Sequence, residues 1–472
     1  MKNDPLSDGN KTTRPEVTPL FGSAKILLDE TPKAITPFGG MASLVAFLQQ
    51  IGFAREVEQA LPFPVSASPN AIPLAHTFTA FVIAVIAGAS RFAHTDWLRA
   101  DRALHALLGI ARFPGTDTVR NFFLRFTQAH VARFWPPLWR WLLSMVSCPP
   151  EGFHLDLDST VFQRSGSQEG AVRGYNPRRP GRKSHHPLLA VLAQRQVFLH
   201  GWLRPGDSAA AGGAVSFLQE ALALLPAGLR IGCVRADSGF FEEALLSLLE
   251  QKHLSYLIVA RLTTRLQRRC AAIKDWTDID ENYAAGAFHF RLLGWSQERR
   301  FIVIRERVLE EKEAVGHKLL EVPGYTFRVW VTDRSGSAIE LWREYNGRAT
   351  VEQRIQELKS DLAAGGFCLH EFFATEAAFL ATLFTFNLLS LYQQMTTPEQ
   401  SYRQPATLRT QVFLAGGILG RAGKELVMKL SQAWGGLAKH KPLLEAVLQW
   451  PKLTSPKLVH PPDRLAIGGG YI

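Results

Sequence analysis

Residues 153–160 read Phe-His-Leu-Asp-Leu-Asp-Ser-Thr and follow two prolines that end a long helical region. In an extended strand successive side chains point to opposite faces, so His154, Asp156 and Asp158 share one face and the two leucines share the other. Two carboxylates on one face repel each other and lose hydration unless a cation or a hydrogen-bond donor compensates them. The stretch therefore predicts a strand with an acidic face, and a bound metal ion is the simplest compensation.

The segments that follow this strand determine the predicted fold class. Short apolar runs, typical of strands, alternate with amphipathic stretches, typical of helices, as far as residue 262. This alternation predicts an α/β fold in which a mixed sheet is flanked by helices. Residues 263–340 interrupt the alternation with further strand-like runs, and we interpret them as a β-rich insertion. Helical patterns return after residue 340.

The region before residue 149 has a different pattern. Apolar residues recur there at three- and four-residue spacing from Met41 to Met145, which predicts an all-α N-terminal domain. Its helical hairpins could read DNA or serve only as packing units, and the sequence leaves both interpretations open. The expected division is 1–35, a mobile N-terminal arm; 36–148, the helical N-terminal domain; 149–262, the first part of the core; 263–340, the insertion; 341–395, the last part of the core; and 396–472, a helical C-terminal region and tail.

The composition limits the class of protein and of partner. The 472 residues are 46% hydrophobic and 20% charged, which excludes global disorder. Lys and Arg number 53 against 42 Asp and Glu, and this excess of positive charge favours a polyanionic partner. Four widely spaced cysteines and the lack of a signal sequence indicate a cytoplasmic protein with reduced thiols. Two apolar windows are too short to span a membrane, and we interpret them as buried core helices.

A second polar motif occupies residues 345–359, Tyr-Asn-Gly-Arg-Ala-Thr-Val-Glu-Gln-Arg-Ile-Gln-Glu-Leu-Lys. On a helix, Tyr345, Arg348, Glu352 and Lys359 fall within an arc of about 60°, beside a stripe of apolar residues. Such a helix can bury one flank and present Glu352 to a cleft. In isolation, the same motif is more typical of a solvated face with an Arg348–Glu352 pair.

Asp237 supplies a further acid, in the sequence Arg-Ala-Asp-Ser-Gly-Phe at residues 235–240. A predicted strand ends and a helix begins there, and ligand groups gather at such strand ends in open α/β sheets. An aspartate at this place can also be a helix N-cap. Acids from three separate segments fit two divalent cations held about 3.5–4 Å apart for phosphodiester chemistry. Hard oxygen ligands favour Mg²⁺ or Mn²⁺.

Basic residues are concentrated in two segments of the predicted core and insertion. The first cluster contains Arg164, Arg173, Arg178, Arg179, Arg182 and Lys183, and the second contains Arg261, Arg265, Arg268 and Arg269. Basic runs are often only solubilising. Near an acidic metal site they favour contacts with the phosphate backbone of DNA, and Arg178, Arg179, Arg182, Lys183, Arg265 and Arg268 are the candidate DNA-binding residues.

Taken together, these motifs resemble the DDE transposases of bacterial insertion sequences. The superfamily concerned carries Tyr-x2-Arg-x3-Glu-x6-Lys around its catalytic glutamate, and residues 345–359 match that spacing throughout. Other stretches look like the insertion-sequence family numbered 1380, namely Asp158-Ser-Thr160, Gly174-Tyr-Asn-Pro177, Ser184-His-His-Pro187 and Asp237-Ser-Gly-Phe240. The resemblance extends from about residue 40 to about residue 430.

The resemblance implies an RNase H-like catalytic core with a β-rich insertion between the second aspartate and the glutamate. It implies that the catalytic and metal-binding acids are Asp158, Asp237 and Glu352, with two Mg²⁺ or Mn²⁺ ions per site; Asp156 is a rival for the first position. It also implies DNA-phosphate contacts from Tyr345, Arg348 and Lys359, and a tryptophan of the insertion that stacks on a flipped base, for which Trp295 and Trp330 are candidates unless they are core residues.

The function implied by the resemblance is DNA transposition. Such an enzyme binds the double-stranded terminal inverted repeats of its own element, cleaves there, and transfers the 3′ ends to target DNA. A homodimer is expected because two ends must be processed, and neither a membrane nor ATP is expected as a partner. Two alternatives stay open, a catalytically silent sequence-specific DNA-binding protein and a metal-dependent nuclease that does not join DNA.

Overall fold

The computed structural model describes residues 15–66, 68–176, 179–209, 211–307, 324–398, 402–432 and 440–447. Its α-helices are α1 (Met41–Gln50), α2 (Phe53–Ala60), α3 (Leu74–Ala87), α4 (Arg102–Leu108), α5 (Thr116–Leu124), α6 (Gln128–Leu143), α7 (Ala214–Ala223), α8 (Glu243–Gln251), α9 (Thr264–Ala271), α10 (Ala338–Asn346), α11 (Ala349–Ser360), α12 (Phe372–Thr396) and α13 (Pro405–Leu408). Shorter helical turns cover Phe92–Ala100, Ala193–Arg195, Ser238–Phe240 and Arg409–Phe413.

The strands form one large sheet and three small ones. They are β1 (Glu16–Val17), β2 (Ile26–Leu27), β3 (Ala34–Thr36), β4 (Phe153–Ser159), β5 (Phe162–Gln163), β6 (Val172–Arg173), β7 (Lys183–His185), β8 (Leu188–Leu192), β9 (Val197–Trp202), β10 (Ile231–Ala236), β11 (Ser255–Val259), β12 (Thr277–Asp278), β13 (Tyr283–Phe290), β14 (Arg299–Arg307), β15 (Tyr325–Thr332), β16 (Gly417–Ala422) and β17 (Glu425–Leu430). The mixed α/β fold predicted from the sequence is therefore confirmed.

The large sheet has nine strands in the order β12-β13-β14-β15-β11-β10-β4-β8-β9. Strands β4, β10 and β11 run parallel to one another, while β8 is antiparallel to both of its neighbours. Strand β15 pairs antiparallel with β11, so the strands of the segment interpreted as an insertion extend the same sheet. That segment is thus part of the central sheet, because its last strand hydrogen-bonds to the edge left open by β11.

The central strands are buried because they carry near-continuous apolar runs. Every residue of β8, Leu-Leu-Ala-Val-Leu, is buried. Strand β4 is also largely buried, and its polar face lies against other buried groups. Strands covered on both faces require such runs, which is why alternation of apolar and polar residues is weak here. The exception is the acidic face of β4, which positions the site described below.

Helix α12 is the central helix of the core. It is long and apolar enough to span a membrane, yet 89% of its most apolar window is buried within the chain. The amide of Asn387, within this helix, accepts from the N–H of Phe198 and donates to the carbonyl of the same residue, both at 2.7 Å. The interpretation of this stretch as a buried core helix is confirmed.

The N-terminal helices share one hydrophobic core with the sheet. Phe384 of α12 lies 6.1 to 6.3 Å, between ring centroids, from Phe53 and Phe78 on one side, and Trp139 approaches to 5.8 Å. Helix α12 contacts both the N-terminal helices and the sheet, so the hydrophobic core continues across the domain boundary expected near residue 148. Only the type of secondary structure changes there.

The C-terminal region differs from the expected helical region. Strands β16 and β17 form a hairpin, and β16 pairs with β3 from the N-terminal region. The two-residue turn contains Gly423 at φ +61°, a left-handed conformation that glycine adopts without strain. A helical interpretation of residues 396–472 was wrong for this part. Residues 15–35, expected to be a mobile arm, contain the β1–β2 hairpin, and residues 1–14 and 448–472 lie outside the described ranges.

Candidate functional site

Two of the three predicted acids lie at the ends of adjacent strands of the central sheet, and the third lies on a helix that Arg348 links to them. Asp158 lies near the end of β4 and Asp237 follows the end of β10. These two strands are adjacent and parallel, with Leu157 opposite Ala236, so the residues that follow lie side by side. Glu352 lies in the first turn of α11, and its side chain is 71% exposed.

The pKa of Asp158 depends on its burial and on the charged groups around it. Its pKa is raised to about 6, mainly by burial and also by the carboxylates of Asp237 and Glu352. The guanidinium of Arg348 and the N–H of Ser159, which donates to Asp158 Oδ1 at 2.7 Å, oppose this rise. A buried carboxylate surrounded by two others holds its charge at a cost, so the site has an electrostatic demand for a cation.

The guanidinium of Arg348 supplies part of the positive charge that compensates Asp158. Its Nη2 lies 3.0 Å from Asp158 Oδ2 and donates to the carbonyl of Leu157 at 3.0 Å, while its Nη1 lies 4.0 Å from Glu352. The residue is 5% exposed. Expected from the resemblance to contact DNA phosphates, Arg348 is instead enclosed within the acidic site in this conformation, because the buried carboxylate of Asp158 attracts it inward.

Asp156, the rival for the first acid, has a different environment. It is fully buried, and its two oxygens accept from Nε and Nη2 of Arg235 at 2.6 and 2.7 Å. Arg235 also donates to the carbonyl of Glu344 at 2.6 Å. A bidentate pair of this kind is strong and leaves Asp156 no exposed oxygen, so the geometry favours Asp158 over Asp156. For Asp156, arginine supplies the compensation that the sequence analysis ascribed to a metal.

Tyr345 and Lys359 frame the site from two helices. The predicted single helix is divided, with Tyr345 at the end of α10 and Lys359 near the end of α11. The hydroxyl of Tyr345 donates to the carbonyl of Ala236 at 3.3 Å, and Nζ of Lys359 donates to Thr160 Oγ1 at 3.1 Å. Both side chains thus lie next to the ends of β4 and β10, beside the acids.

The two tryptophan candidates are placed unfavourably for stacking on a base. Trp330 is 3% exposed, packs edge-to-face on Tyr345 with 5.5 Å between ring centroids, and borders a cavity of about 420 Å³. Trp295 is half-buried, with the guanidinium of Arg299 4.8 Å from its ring centroid and Phe301 stacked at 6.2 Å. Both rings pack against neighbouring side chains in this conformation, Trp330 against Tyr345 and Trp295 between Arg299 and Phe301.

A cleft of about 960 Å³ adjoins the acids. Its walls include Asp237 and Lys359, the loop before β7 contributes Tyr175 and Arg179, and His186 follows β7. The other candidate DNA-binding residues, which are Arg182, Lys183, Arg265 and Arg268, are exposed. Arg178 lies outside the described ranges. The basic residues are thus on the surface, where phosphates can reach them.

The donor set fits a hard divalent cation in its chemistry. Asp158, Asp237 and Glu352 offer carboxylate oxygens, and their mutual repulsion at Asp158 is what a bound cation would relieve. As the side chains lie, no group of three or more His, Cys, Asp and Glu within the described ranges is arranged to hold a metal ion. Arg348 forms an ion pair with Asp158. Binding of a cation would therefore require the side chains of Asp158 and of the exposed Glu352 to turn toward the cation.

Sequence reasoning missed three residues that shape the site. The sequence analysis named Arg235 only as part of a motif. A basic residue on the strand next to an acidic strand face nevertheless predicts an ion pair such as the one between Arg235 and Asp156. Glu344 bridges His154, at 3.2 Å, and Arg334. Tyr175 was visible only as part of a family motif, and it lies just after β6 of a small sheet that the sequence did not predict.

Comparisons with known proteins agree with these motifs. A family model described as "Transposase DDE domain group 1" matches residues 18–450. No curated protein matches the chain. Among solved structures, a chain of the cryo-EM structure of the piggyBac transposase synaptic complex with hairpin DNA is similar, with a TM-score of 0.44 and 11% identity over 92% of this chain and 87% of that one.

Proposed function

Because the chain belongs to the DDE transposase family, we propose that it binds the terminal inverted repeats of its own mobile element, cleaves DNA there and transfers the 3′ ends to target DNA. The observation that carries this proposal is the placement of Asp158 and Asp237 at the ends of adjacent strands with Glu352 on α11, where the pKa of Asp158 is raised partly by the other two acids. Separate chain segments converge there on one acidic site beside basic surface, as phosphoryl transfer on DNA requires.

The strand order supports an RNase H-like core. In the part of the sheet formed by β9, β8, β4, β10 and β11, only β8 runs against the others. In chain order these five strands take the spatial positions 3-2-1-4-5, which is the arrangement that the resemblance implies. The first two acids then follow the two central strands of this unit, β4 and β10.

In this proposal Asp158, Asp237 and Glu352 hold two divalent cations, Mg²⁺ or Mn²⁺. When bound, these cations supply activation of the attacking oxygen and stabilisation of the leaving oxygen. Arg348 holds Asp158 in place through its second contact with Leu157 and limits the charge of the site before DNA arrives. Tyr345 and Lys359, anchored to Ala236 and Thr160, flank the position of the scissile phosphate.

The finer context of the function is also proposed. The element is a bacterial insertion sequence, and the protein acts in the cytoplasm as a homodimer on two element ends. The exposed cations Arg179, Arg182, Lys183, Arg265 and Arg268 contact DNA phosphates. Of the expected division, the helical N-terminal domain and the two parts of the core are kept, and the strands of residues 263–340 extend the catalytic sheet.

The experiment is cleavage of a DNA fragment that carries the element's own end, in the presence of Mg²⁺ and with chelator added. The variant is Glu352→Gln, which removes one charge from an exposed side chain, and the matched control is Glu58→Gln on the exposed side of α2. We expect cutting at the end by the wild type and by the control, and DNA binding without cutting by Glu352→Gln. Cutting by Glu352→Gln at the wild-type rate would contradict the assignment of Glu352 as the third catalytic acid.

Joining is measured separately, since cleavage alone does not distinguish a transposase from a nuclease. A labelled, precleaved end is incubated with a supercoiled plasmid, and covalent transfer of the label into the plasmid is measured. Transfer supports the transposase. Cleavage without any transfer would favour the metal-dependent nuclease, and tight binding without cleavage would favour the silent DNA-binding protein.

A further inference from the structure

Glu344 lies in the last turn of α10, before Arg348 and Glu352 in the chain. Its Oε1 lies 3.2 Å from Nε2 of His154 on β4 and forms an ion pair with Nη1 of Arg334, which follows β15. The hydrogen bond from His154 holds the pKa of Glu344 below its ordinary value, and the guanidinium of Arg334 adds to this effect against partial burial. The three side chains are 22–33% exposed, so this contact is more shielded than an ion pair on the open surface.

The main chain of Glu344 is fixed as well. Its carbonyl oxygen accepts from Nη1 of Arg235 at 2.6 Å. The other two nitrogens of that guanidinium donate to Asp156, and both side chains are buried. Arg235 belongs to β10, which ends before Asp237, and Asp156 belongs to β4, which contains Asp158. One residue thus joins α10 to both strands that carry the aspartates of the site, because its backbone and its side chain make separate contacts.

Arg334 is held by the strands outside the catalytic centre. It belongs to the short segment that leads from the β14–β15 pair back to α10. Arg300 of β14 donates to the carbonyls of Arg334 and Gly336, and the N–H of Arg334 donates to Thr332 Oγ1 at 3.2 Å. The guanidinium that pairs with Glu344 is therefore anchored to β14 and β15, and its position depends on theirs.

The helical path from Glu344 to the acids has no extended break. The N–H of Arg348 donates to the carbonyl of Tyr345 at 2.8 Å, and Glu352 follows in the first turn of α11. Nη2 of Arg348 lies 3.0 Å from Asp158 Oδ2. A displacement of Glu344 would therefore move both Arg348 and Glu352 relative to β4, because helical turns transmit the displacement along the chain.

We propose that Glu344 is a positioning residue for the third acid, Glu352, and that it transmits the position of the β14–β15 pair to the acidic site. It acts through the junction of α10 and α11 and contacts neither DNA nor a cation. Carboxylates that share a cation must be held to within a fraction of an ångström, so a residue that fixes their supporting helix controls both cation affinity and rate. This inference rests on the proposed function and adds that the site is complete only while Glu344 holds α10 to the strands on both sides.

The test measures cation binding separately from cleavage. Binding of Mn²⁺ to the full-length protein, without DNA, is followed by the loss of the free-ion signal in electron paramagnetic resonance. Binding of a labelled element end without divalent cation and its cleavage with Mg²⁺ are measured on the same preparations. The proteins are the wild type, Glu344→Ala, Arg334→Ala, the double variant of these two, the reference Glu352→Gln, which removes a proposed ligand, and the control Arg343→Ala, exposed on the same helix.

We expect Glu344→Ala to bind Mn²⁺ about tenfold more weakly than the wild type and to cleave about a hundredfold more slowly. Its DNA affinity without cation stays within about twofold, because no phosphate contact is removed. Arg334→Ala changes Mn²⁺ affinity in the same direction, and the double variant matches Glu344→Ala, because both substitutions remove one contact. Arg343→Ala matches the wild type. A residue that only stabilised the fold would lower the melting temperature and leave the Mn²⁺ affinity of the folded protein unchanged.

The outcomes separate this inference from the proposed function. Wild-type Mn²⁺ affinity in folded Glu344→Ala would overturn the positioning role, even if the wild type cleaves DNA ends. If Glu344→Ala does not fold, Arg334→Ala, whose side chain is 33% exposed, decides the question, and unchanged Mn²⁺ affinity in that variant would overturn the role equally. A wild type that binds Mn²⁺ no more tightly than Glu352→Gln would contradict the acidic site itself, and with it the proposed function.

Discussion

The Nη2 atom of Arg348 lies 3.0 Å from Asp158 Oδ2 and 3.0 Å from the carbonyl oxygen of Leu157. One nitrogen thereby ties the end of β4 to the residue that immediately precedes α11, the helix that carries Glu352. The first and third acids are thus positioned relative to each other by a residue between them. Because Arg348 is 5% exposed, this link is protected from solvent screening.

Removal of this link is expected to destabilise the protein in a pH-dependent way. Arg348→Ala leaves Asp158 buried without its cation, which costs about 3 kcal/mol at neutral pH. The pKa of Asp158, already raised to about 6, then rises further, so protonation relieves the cost in acid. Urea unfolding at several pH values checks this. The control Arg343→Ala, exposed on α10, should match the wild type throughout. A loss in Arg348→Ala that is independent of pH would contradict the role given to Asp158.

The two aspartates of β4 are expected to respond oppositely to removal of their charge. Asp156→Asn leaves Arg235 buried without its partner and lowers the free energy of unfolding by roughly 3–5 kcal/mol. Asp158→Asn leaves Arg348 without its ion pair but also removes a carboxylate that its neighbours Asp237 and Glu352 disfavour, so it costs less stability than Asp156→Asn and abolishes cleavage. Thermal unfolding and the cleavage assay measured on the same preparations decide this. A stable, inactive Asp156→Asn protein would make Asp156 the first acid.

Glu376 is a buried carboxyl group outside the acidic site, and it tests the effect of burial on a pKa. Burial, together with the nearby Glu220, raises its pKa to about 7, although the N–H of Leu203 donates to it at 3.0 Å. The folded state therefore takes up a proton that the unfolded state has released, and stability falls as pH rises between the ordinary value of 4.5 and about 7. The loss is roughly 3 kcal/mol.

Glu376→Gln keeps the acceptor and cannot ionise, so it should be more stable than the wild type above neutrality and similar to it near pH 4. Differential scanning calorimetry across this pH range measures the effect. The exposed Glu371→Gln at the start of α12 serves as the control and should show no such crossing. A constant difference between Glu376→Gln and the wild type at all pH values would show that Glu376 is ionised in the folded protein.

The basic surface of α9 is expected to contribute through phosphates alone. Replacement of Arg265 and Arg268 by alanine should weaken DNA binding at low salt and reduce the slope of log affinity against log salt by about 0.9 for each phosphate that is no longer neutralised. The effect should be equal for element ends and for unrelated DNA, because phosphate contacts carry no base readout. Arg55→Ala, whose side chain is 71% exposed on α2, is the control. An unchanged slope would remove α9 from the DNA interface.

The sequence predicted what depends on local pattern and on residue identity. The acids stand at strand ends because apolar runs and their breaks mark those ends, and the apolar flank of α11 is buried as expected, with Val351 1% and Leu358 0% exposed. What it did not predict depends on contacts between distant segments. The pairing of Asp156 with Arg235, the enclosure of Arg348 and the extension of the sheet past β11 each require knowledge of strand order, which the sequence alone does not contain.

Strand β3 is completed by β16, and Thr36 at its end donates to Asp101 at 2.6 Å. Strand β3, near the start of the described chain, therefore gains its partner strand β16 only after almost all of the chain has been synthesised. Such long-range pairing forms late and slowly, because a long loop must close before any hydrogen bond is gained. On the ribosome, β3 would stay without its partner strand until translation has passed residue 422. Premature termination in the C-terminal region would therefore expose a strand edge near the other end of the protein.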